Sequence, residues 1–135
     1  MNTLKKLGIL NSDISKVLTD LGHTDKIAIG DAGLPIPTGV KRIDLAIALS
    51  DPSFIKVLKA VLNDMKVEEV VLAEEIKEQN ASQLEAIEAE LVEEERITYV
   101  SHEEFKQQLK DVKAVIRTGE ATPYSNIILQ SGVLF

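Results

Sequence analysis

The chain contains no cysteine and no tryptophan, and it has only two histidines among its 135 residues. The lack of cysteine excludes disulfides, thiolate catalysis, zinc–thiolate sites and iron–sulfur clusters. Two isolated histidines without ligand-like spacing give no indication of a metal site. Glycine-rich nucleotide-binding motifs and the Gly-x-Ser-x-Gly motif of serine hydrolases are missing as well. We therefore expect a protein that works without a metal or an organic cofactor.

Positive charge is also scarce, since the formal net charge is −7 and no extended basic cluster accompanies the Lys41–Arg42 pair. A nucleic-acid-binding protein needs a basic face, and an acidic surface repels anionic membranes. No apolar run reaches the length of a membrane span, and Met1 to Leu10 is too short for the hydrophobic region of a secretion signal. We expect no nucleic-acid partner, no membrane insertion and a cytoplasmic location.

The length and the alternation of patterns predict one α/β domain over residues 1–135. Short apolar runs predict about six strands, at Lys26–Gly30, Arg42–Ala48, Val67–Ala73, Ile97–Val100, Val112–Arg117 and Ile127–Leu129. Helical spacing predicts helices capped by Asn11 or Ser12, by Ser53 and by Ser101, and an acidic helix over Ala81–Glu94. Gly22 is predicted to end the first helix in a left-handed conformation. Helices between strands imply a mostly parallel sheet in a three-layer α/β/α arrangement.

Polar residues follow several of the predicted strands. Asp31 comes directly after the first strand, Ser101-His102 follow the fourth, and the loop Gly119–Asn126 follows the fifth. Ligands of open α/β sheets bind beyond the carboxyl ends of the strands. These three segments are therefore predicted to meet in one crevice.

The two histidines occupy different electrostatic positions. His23 follows a helix C-terminus, where the helix dipole favours an imidazolium, and it is either a general acid/base or a surface residue. His102 lies in the first turn of a helix, where positive charge is disfavoured, and it shares a helix face with Lys106. That pair either binds ligand hydroxyls or is solvated.

Three other polar residues also have two interpretations. Asp31 is either a turn residue or a ligand for a sugar hydroxyl, and Tyr124 and Asn126 are either turn residues or a ligand clamp. Nine of the 22 acidic residues lie between Glu74 and Glu95. Such a run more often marks a solvated helix face than a cation or partner site.

The order of several short motifs resembles the D-ribose pyranase family over nearly the whole chain. The motifs are Leu10-Asn11-Ser12-Asp13-Ile14-Ser15, Leu21-Gly22-His23-Thr24-Asp25, Asp31-Ala32-Gly33-Leu34-Pro35-Ile36-Pro37, Asp51-Pro52-Ser53-Phe54, Ala73-Glu74-Glu75-Ile76, Ser101-His102-Glu103-Glu104-Phe105-Lys106, Ile116-Arg117-Thr118-Gly119-Glu120 and Pro123-Tyr124-Ser125-Asn126-Ile127-Ile128-Leu129. Gly30 and Ser125 stand where members often have a larger residue and alanine, respectively. The L-fucose mutarotases share the wider superfamily.

The resemblance implies an intramolecular isomerase that interconverts the pyranose and furanose forms of D-ribose and supplies furanose to ribokinase. It implies that His23 is the proton donor and that the substrate is bound by Asp31, His102, Lys106, Tyr124, Ser125 and Asn126. It also implies a ring-shaped homo-oligomer, a homodecamer, with sites shared between subunits. A non-catalytic sugar-binding or regulatory subunit of a ribose transport system, or an L-fucose mutarotase, remains the alternative.

Overall fold

The computed structural model describes residues 7–93 and 95–135. Most of Met1–Leu10, which bears on a secretion signal, and Glu94, the predicted end of the acidic helix, lie outside the described residues. Six strands form one sheet: β1 (Lys26–Gly30), β2 (Lys41–Asp44), β3 (Val67–Ala73), β4 (Arg96–Val100), β5 (Ala114–Arg117) and β6 (Ile127–Ser131). The helices are α1 (Ser12–Asp20), α2 (Phe54–Asp64), α3 (Ile76–Gln79), α4 (Ala81–Glu90) and α5 (His102–Gln108), and a 3₁₀ turn at Leu109–Asp111 extends α5.

The sheet has the strand order β2-β5-β1-β6-β3-β4. Five strands run in one direction, and only β6 is antiparallel to its neighbours β1 and β3. The chain between β5 and β6 contains no helix, so it does not cross back over the sheet, and β6 must start at the edge where β5 ends. The expectation of a mostly parallel sheet of about six strands is confirmed.

Alternating side chains of the strands build two apolar layers, one on each face of the sheet. Ile27 and Ile29 of β1 pack into one cluster with residues of α1 to α4, whereas Ala28 between them packs into the other with Phe105 and Leu109. Period-two alternation within buried strands therefore produces the three-layer α/β/α arrangement predicted from the sequence.

The predicted caps lie at the starts of three helices. The side chains of Asn11, Ser53 and Ser101 accept hydrogen bonds from the backbone N–H groups of Ile14, Lys56 and Glu104, respectively. Each bond satisfies one N–H that has no partner inside its helix, a contribution of about 1 kcal/mol. The cap of α5 fixes where His102 begins its helix.

The prediction of a left-handed cap at Gly22 is wrong. The left-handed glycines of the described chain are Gly8 and Gly39, whereas α1 ends at Asp20 and its C-cap residue Leu21 is extended. The N–H of Gly22 donates instead to the carboxylate of Asp25 at 2.8 Å. A side chain thus ends the helix, and the left-handed turn is not needed.

Several element boundaries also differ from the predictions. The strand predicted for Arg42–Ala48 ends at Asp44, because its partner β5 has only four residues. The same strand β5 begins at Ala114 rather than Val112, and β6 extends to Ser131. Helix α4 ends at Glu90, since an acidic last turn without a basic residue opposes the helix dipole. The short helix α3 was not predicted.

Candidate active site at the carboxyl edge of the sheet

Four of the predicted site residues converge where the parallel strands end, at the edge we call the carboxyl edge. The N–H of Asp31 donates to Oδ1 of Asn126 at 2.9 Å, which joins the end of β1 to the start of β6. The rings of His102 and Tyr124 meet edge to face, with centroids 5.1 Å apart. The segments after β1, β4 and β5 therefore lie together at this edge, and we call the space between them the crevice.

Asn126 presents a defined donor to this crevice. Its amide oxygen accepts the N–H of Asp31, so its NH₂ group is the remaining hydrogen-bond donor of this side chain. A Cβ atom on Gly30 would lie 3.0 Å from that oxygen and 2.4 Å from Cδ2 of Leu34. The glycine therefore lets the Asn126 amide and Leu34 approach the backbone of β1 closely.

Asp31 carries a carboxylate in a partly buried position. Burial raises its pKa above the usual range, and hydrogen bonds from Gly33 and Asn126 and the nearby His102 oppose this rise without cancelling it. Its Oδ1 accepts the N–H of Gly33 at 3.0 Å, the geometry of an Asx-turn. The turn interpretation therefore holds for Asp31, and its role toward a ligand stays a prediction.

His102 is held on three sides by neighbouring groups. Its backbone N–H lies 3.0 and 3.1 Å from the two carboxylate oxygens of Glu75, and its ring stacks on Phe105. Its Nδ1 is buried and has no hydrogen-bond partner within the described residues. A buried nitrogen of this kind is normally satisfied by a bound water, an ion or a ligand.

The backbone of Tyr124 adopts a left-handed conformation, with φ of 56°. For a residue with a bulky side chain this costs about 1–3 kcal/mol and persists only where the surroundings impose it. The conformation places the ring against His102, so the strained residue shapes the wall of the crevice.

Two further predicted residues have their polar groups occupied elsewhere. The ammonium of Lys106 pairs with Glu103 at 2.8 Å. The hydroxyl of Ser125 is buried, lies 2.8 Å from the hydroxyl of Thr122 and accepts a hydrogen bond from Gln83 of α4 at 3.0 Å. Ser125 therefore anchors the loop, and its side chain does not join the cluster of Asp31, His102, Tyr124 and Asn126.

His23 lies at the opposite edge of the sheet. It precedes the start of β1, and the neighbouring N–H of Thr24 donates to the carbonyl of Ser131 at the end of β6. Strand β1 separates it from Asp31, and five residues of strand span roughly 16 Å. Within one chain, His23 is therefore not part of the crevice.

A carboxylate contacts the imidazole of His23. Oε2 of Glu68 lies 3.1 Å from Nε2 of His23, and Oε1 of Glu68 accepts a hydrogen bond from Gln130 at 2.8 Å. The hydrogen bonds from Gln130 and His23 lower the pKa of Glu68, so it is an ionised acceptor at neutral pH. Glu68 can therefore accept a hydrogen carried on Nε2 of His23.

Sequence reasoning did not assign roles to Glu68, Glu75, Arg117 or Glu120. Arg117 donates to the carbonyl of Ala32 at 3.0 Å and pairs with Asp44, so it ties the loop after β1 to the end of β2. The signal in the sequence for these four residues was a polar side chain within a strand or soon after one. Their roles could not be inferred from it, because the partner of each is distant in sequence.

A cleft of about 440 Å³ borders the site without containing its four residues. It is lined by Glu74, Glu75, Lys77, Glu78, Gln79 and Ser101. Among the described residues, no group of three or more His, Cys, Asp or Glu side chains is arranged to hold a metal ion. Five glutamates of the acidic run are exposed, which agrees with a solvated surface: Glu74, Glu78, Glu85, Glu88 and Glu93.

The chain matches the model of the RbsD / FucU transport protein family over residues 4–134. It belongs to that family. This RbsD/FucU member is 57% identical over 132 residues to a D-ribose pyranase of Bacillus cereus, covering 98% of this chain and 100% of the relative. It is 58% identical over 130 residues to a D-ribose pyranase of Streptococcus uberis, covering 96% of this chain and 98% of the relative.

Two solved structures allow this chain to be compared with an RbsD protein and with a fucose mutarotase. The structure of Bacillus subtilis RbsD complexed with D-ribose matches with a TM-score of 0.93 and 54% identity, covering 97% of this chain and 99% of that one. The fucose mutarotase of Streptococcus pneumoniae in complex with L-fucose matches with a TM-score of 0.76 and 25% identity, covering 93% and 95%. The chain is thus much more similar to the ribose branch.

Proposed function

We propose that this protein is a D-ribose pyranase, an intramolecular isomerase that interconverts the pyranose and furanose forms of D-ribose. The observation that carries the proposal is the convergence of Asp31, His102, Tyr124 and Asn126 in a chain more than half identical to D-ribose pyranases. The alternative of an L-fucose mutarotase is weaker, because the identity to the fucose mutarotase is 25%.

The polar groups of the crevice suit an uncharged, hydroxyl-rich ligand. Asn126 offers an NH₂ donor, Asp31 offers a carboxylate oxygen, and Nδ1 of His102 lacks a partner among the described residues. Tyr124 and His102 provide ring surfaces for the apolar face of a sugar. In this proposal the four residues bind and orient ribose. Ser125 anchors the loop that carries Tyr124 and Asn126, and Lys106 lies on the same helix as His102.

The reaction needs only proton transfer. Opening the hemiacetal requires removal of the proton from the anomeric hydroxyl and protonation of the ring oxygen, and closure through a different hydroxyl reverses these steps. We assign the proton transfer to His23, with Nδ1 as the exchanging nitrogen because Glu68 can accept a hydrogen carried on Nε2. A positioned acid/base group accelerates such a step about 10²–10⁴-fold, without a metal or cofactor.

The assignment of His23 requires a second copy of the chain. Because His23 and the crevice lie at opposite edges of the sheet, the proposed site is complete only where His23 of one protomer reaches the crevice of another. Leu134 and Phe135 at the C-terminus are 91% and 103% exposed, and Ile47 and Leu49 are exposed as well. Such apolar surface is typical of an interface and supports self-association, while the ring-shaped homodecamer is proposed from the family resemblance.

The catalytic assignment is tested with His23→Ala in ribose exchange measured by saturation-transfer NMR. We expect the variant to fold and to bind ribose but to lose most exchange between ring forms. Exchange at the wild-type rate would remove His23 from the mechanism. Wild-type protein that binds ribose without accelerating exchange would instead indicate a non-catalytic sugar-binding or regulatory subunit of a transport system.

The shared site is tested by mixing two inactive variants. Co-expressed His23→Ala and Asn126→Ala chains should form mixed oligomers in which some pockets carry both wild-type residues, so part of the activity should return. A monomeric mass in light scattering would contradict the assembly. Verified mixed oligomers without activity would contradict the division of the site between subunits.

The cellular setting follows from the proposed reaction. Within the described residues, no helix is long and apolar enough to cross a membrane. We propose that the whole chain, residues 1–135, acts as one catalytic domain in the cytoplasm, where a kinase that uses furanose would consume the product. Fractionation of cells that express the tagged protein tests the location.

A further inference from the structure

The carboxylate of Glu120 bridges the start of α2 and the loop between β5 and β6. Its Oε1 accepts the backbone N–H of Phe54 at 2.9 Å, and its Oε2 accepts the hydroxyl of Thr122 at 2.8 Å. Burial raises the pKa of Glu120, but the hydrogen bonds from Phe54 and Thr122 outweigh it and hold the pKa below its usual range. The bridge is thus made by an ionised group, whose hydrogen bonds are the strong kind.

The backbone of Glu120 supports the segment that carries Asp31. Its carbonyl accepts the N–H of Ala32 at 2.9 Å, and its N–H donates to the hydroxyl of Thr118 at 3.1 Å. That hydroxyl in turn donates to the carbonyl of Gly30 at 2.8 Å. Residue 120 therefore binds both neighbours of Asp31: it binds Ala32 directly and Gly30 through the side chain of Thr118.

The hydrogen bonds of the Glu120 carboxylate extend through Thr122 to the segment that carries Tyr124 and Asn126. The hydroxyl of Thr122 lies 2.8 Å from that of Ser125, which lies between Tyr124 and Asn126. Ser125 is fixed further by Gln83 of α4. Tyr124 holds an unfavourable left-handed backbone in this stretch, which requires restraint from outside the residue itself.

We infer that Glu120 is a positioning residue of the sugar site, which sets Asp31 and the Tyr124–Asn126 segment at the spacing that ribose requires. The inference rests on the proposed function for the identity of the ligand. Glu120 does not touch the sugar in this scheme. It acts through Ala32 on one side and through Thr122 and Ser125 on the other.

The test compares Glu120→Ala with two matched variants. Glu120→Gln is the conservative rescue, because its oxygen can accept the Phe54 N–H while its NH₂ donates to Thr122. Ser53→Ala is the control, because it removes a different cap of the same helix, the bond from Lys56 N–H to the Ser53 hydroxyl, without touching either loop. Thr122→Val removes the hydroxyl that donates to Oε2 of Glu120. Because Thr122 is exposed, this variant should fold and so test the bridge even if Glu120→Ala folds poorly.

Ribose exchange kinetics and binding calorimetry give the first measurement. We expect Glu120→Ala to raise both KM and Kd at least about tenfold, and Thr122→Val to raise both at least about fivefold. In both variants kcat should stay within about threefold of wild type. A positioning role affects binding geometry more than proton transfer. Glu120→Gln should stay within about threefold of wild type in Kd, and Ser53→Ala should bind as wild type does despite a lower melting temperature.

Hydrogen–deuterium exchange gives a measurement that does not depend on ribose. Glu120→Ala should accelerate exchange in peptides covering residues 30–34 and 119–126, and Ser53→Ala should leave both unchanged. If wild-type protein does not bind ribose, the proposed function fails and this exchange pattern still decides the positioning role. If wild type binds ribose, two results would overturn the positioning role. One is a Kd of Glu120→Ala equal to that of Ser53→Ala, and the other is the same hydrogen–deuterium exchange pattern in these two variants.

Discussion

Substitution of Gly119 by alanine should destabilise the protein more than the same change at Gly22 or Gly39. A Cβ atom at this position would lie 2.4 Å from the carbonyl oxygen of Ala48, and 2.6 Å from both the nitrogen and the carbonyl oxygen of Asp51. All three are backbone atoms, so no flexible side chain can move aside. Relief of the clash also disturbs the hydrogen bond from the Gly119 N–H to the carbonyl of Pro52 at 2.9 Å.

The expected magnitude follows from the cost of overpacking. Inserting a methyl group into a close-packed site costs about 1–3 kcal/mol, and contact with rigid backbone on three atoms places Gly119→Ala at about 3 kcal/mol. The entropy of unfolding is about 2.1 cal/mol/K per residue, so for 135 residues this free energy lowers Tm by about 10 °C. Ribose affinity should fall as well, because Glu120 is the next residue.

Two other glycines serve as matched controls. Gly39 has φ of 89°, and a Cβ atom added there would have nothing within 4 Å, so alanine costs only the left-handed backbone, about 1 kcal/mol. Gly22 has an ordinary backbone, and a Cβ would meet only Asp25 Oδ2 at 3.6 Å. Alanine at Gly22 should change stability by less than about 1 kcal/mol.

The assay is thermal unfolding by calorimetry and circular dichroism at one fixed protein concentration, because assembly makes Tm depend on concentration. We expect Tm to be highest for Gly22→Ala, lower for Gly39→Ala and lowest for Gly119→Ala. A Gly119→Ala variant that melts within about 2 °C of Gly22→Ala would refute the reasoning that the three backbone contacts are rigid.

Three further outcomes are expected. Asn126→Asp keeps the oxygen that accepts the Asp31 N–H but loses the NH₂ donor, so the Kd for ribose in calorimetry should rise at least about tenfold, and an unchanged Kd would contradict the proposed amide orientation. Because burial raises the pKa of Asp31 above 3.8, the folded state binds its proton more tightly than the unfolded state, and this carboxyl costs stability as pH rises. The Tm gained by Asp31→Asn should therefore be larger at about pH 7 than at about pH 4, and the reverse order would refute the sign. Exchange activity should survive exhaustive chelation, because the described residues contain no cluster of three metal-ligating side chains, and a loss restored by one divalent ion would contradict this.

Local patterns in the sequence determined the elements and their order. The short, nearly continuous apolar runs of β1, β3 and β6 and the helical spacing in α1 and α2 are properties of neighbouring residues, so they can be recognised without knowing the contact partners. The caps at Ser53 and Ser101 involve residues only three positions apart. The placement of Asp31, His102 and Asn126 at one edge followed from their positions after predicted strands of a mostly parallel sheet.

The tertiary structure decided which side chains touch. His23 precedes β1 and Asp31 follows it, so their separation by one strand length is a local property, whereas the contact of His23 with Glu68 of β3 depends on the strand order β1-β6-β3. The partners of Glu68, Glu75 and Glu120 lie 45, 27 and 66 residues away, respectively. No periodicity encodes such contacts, since a carboxylate needs a donor at hydrogen-bond distance and only the folded chain brings that donor to it.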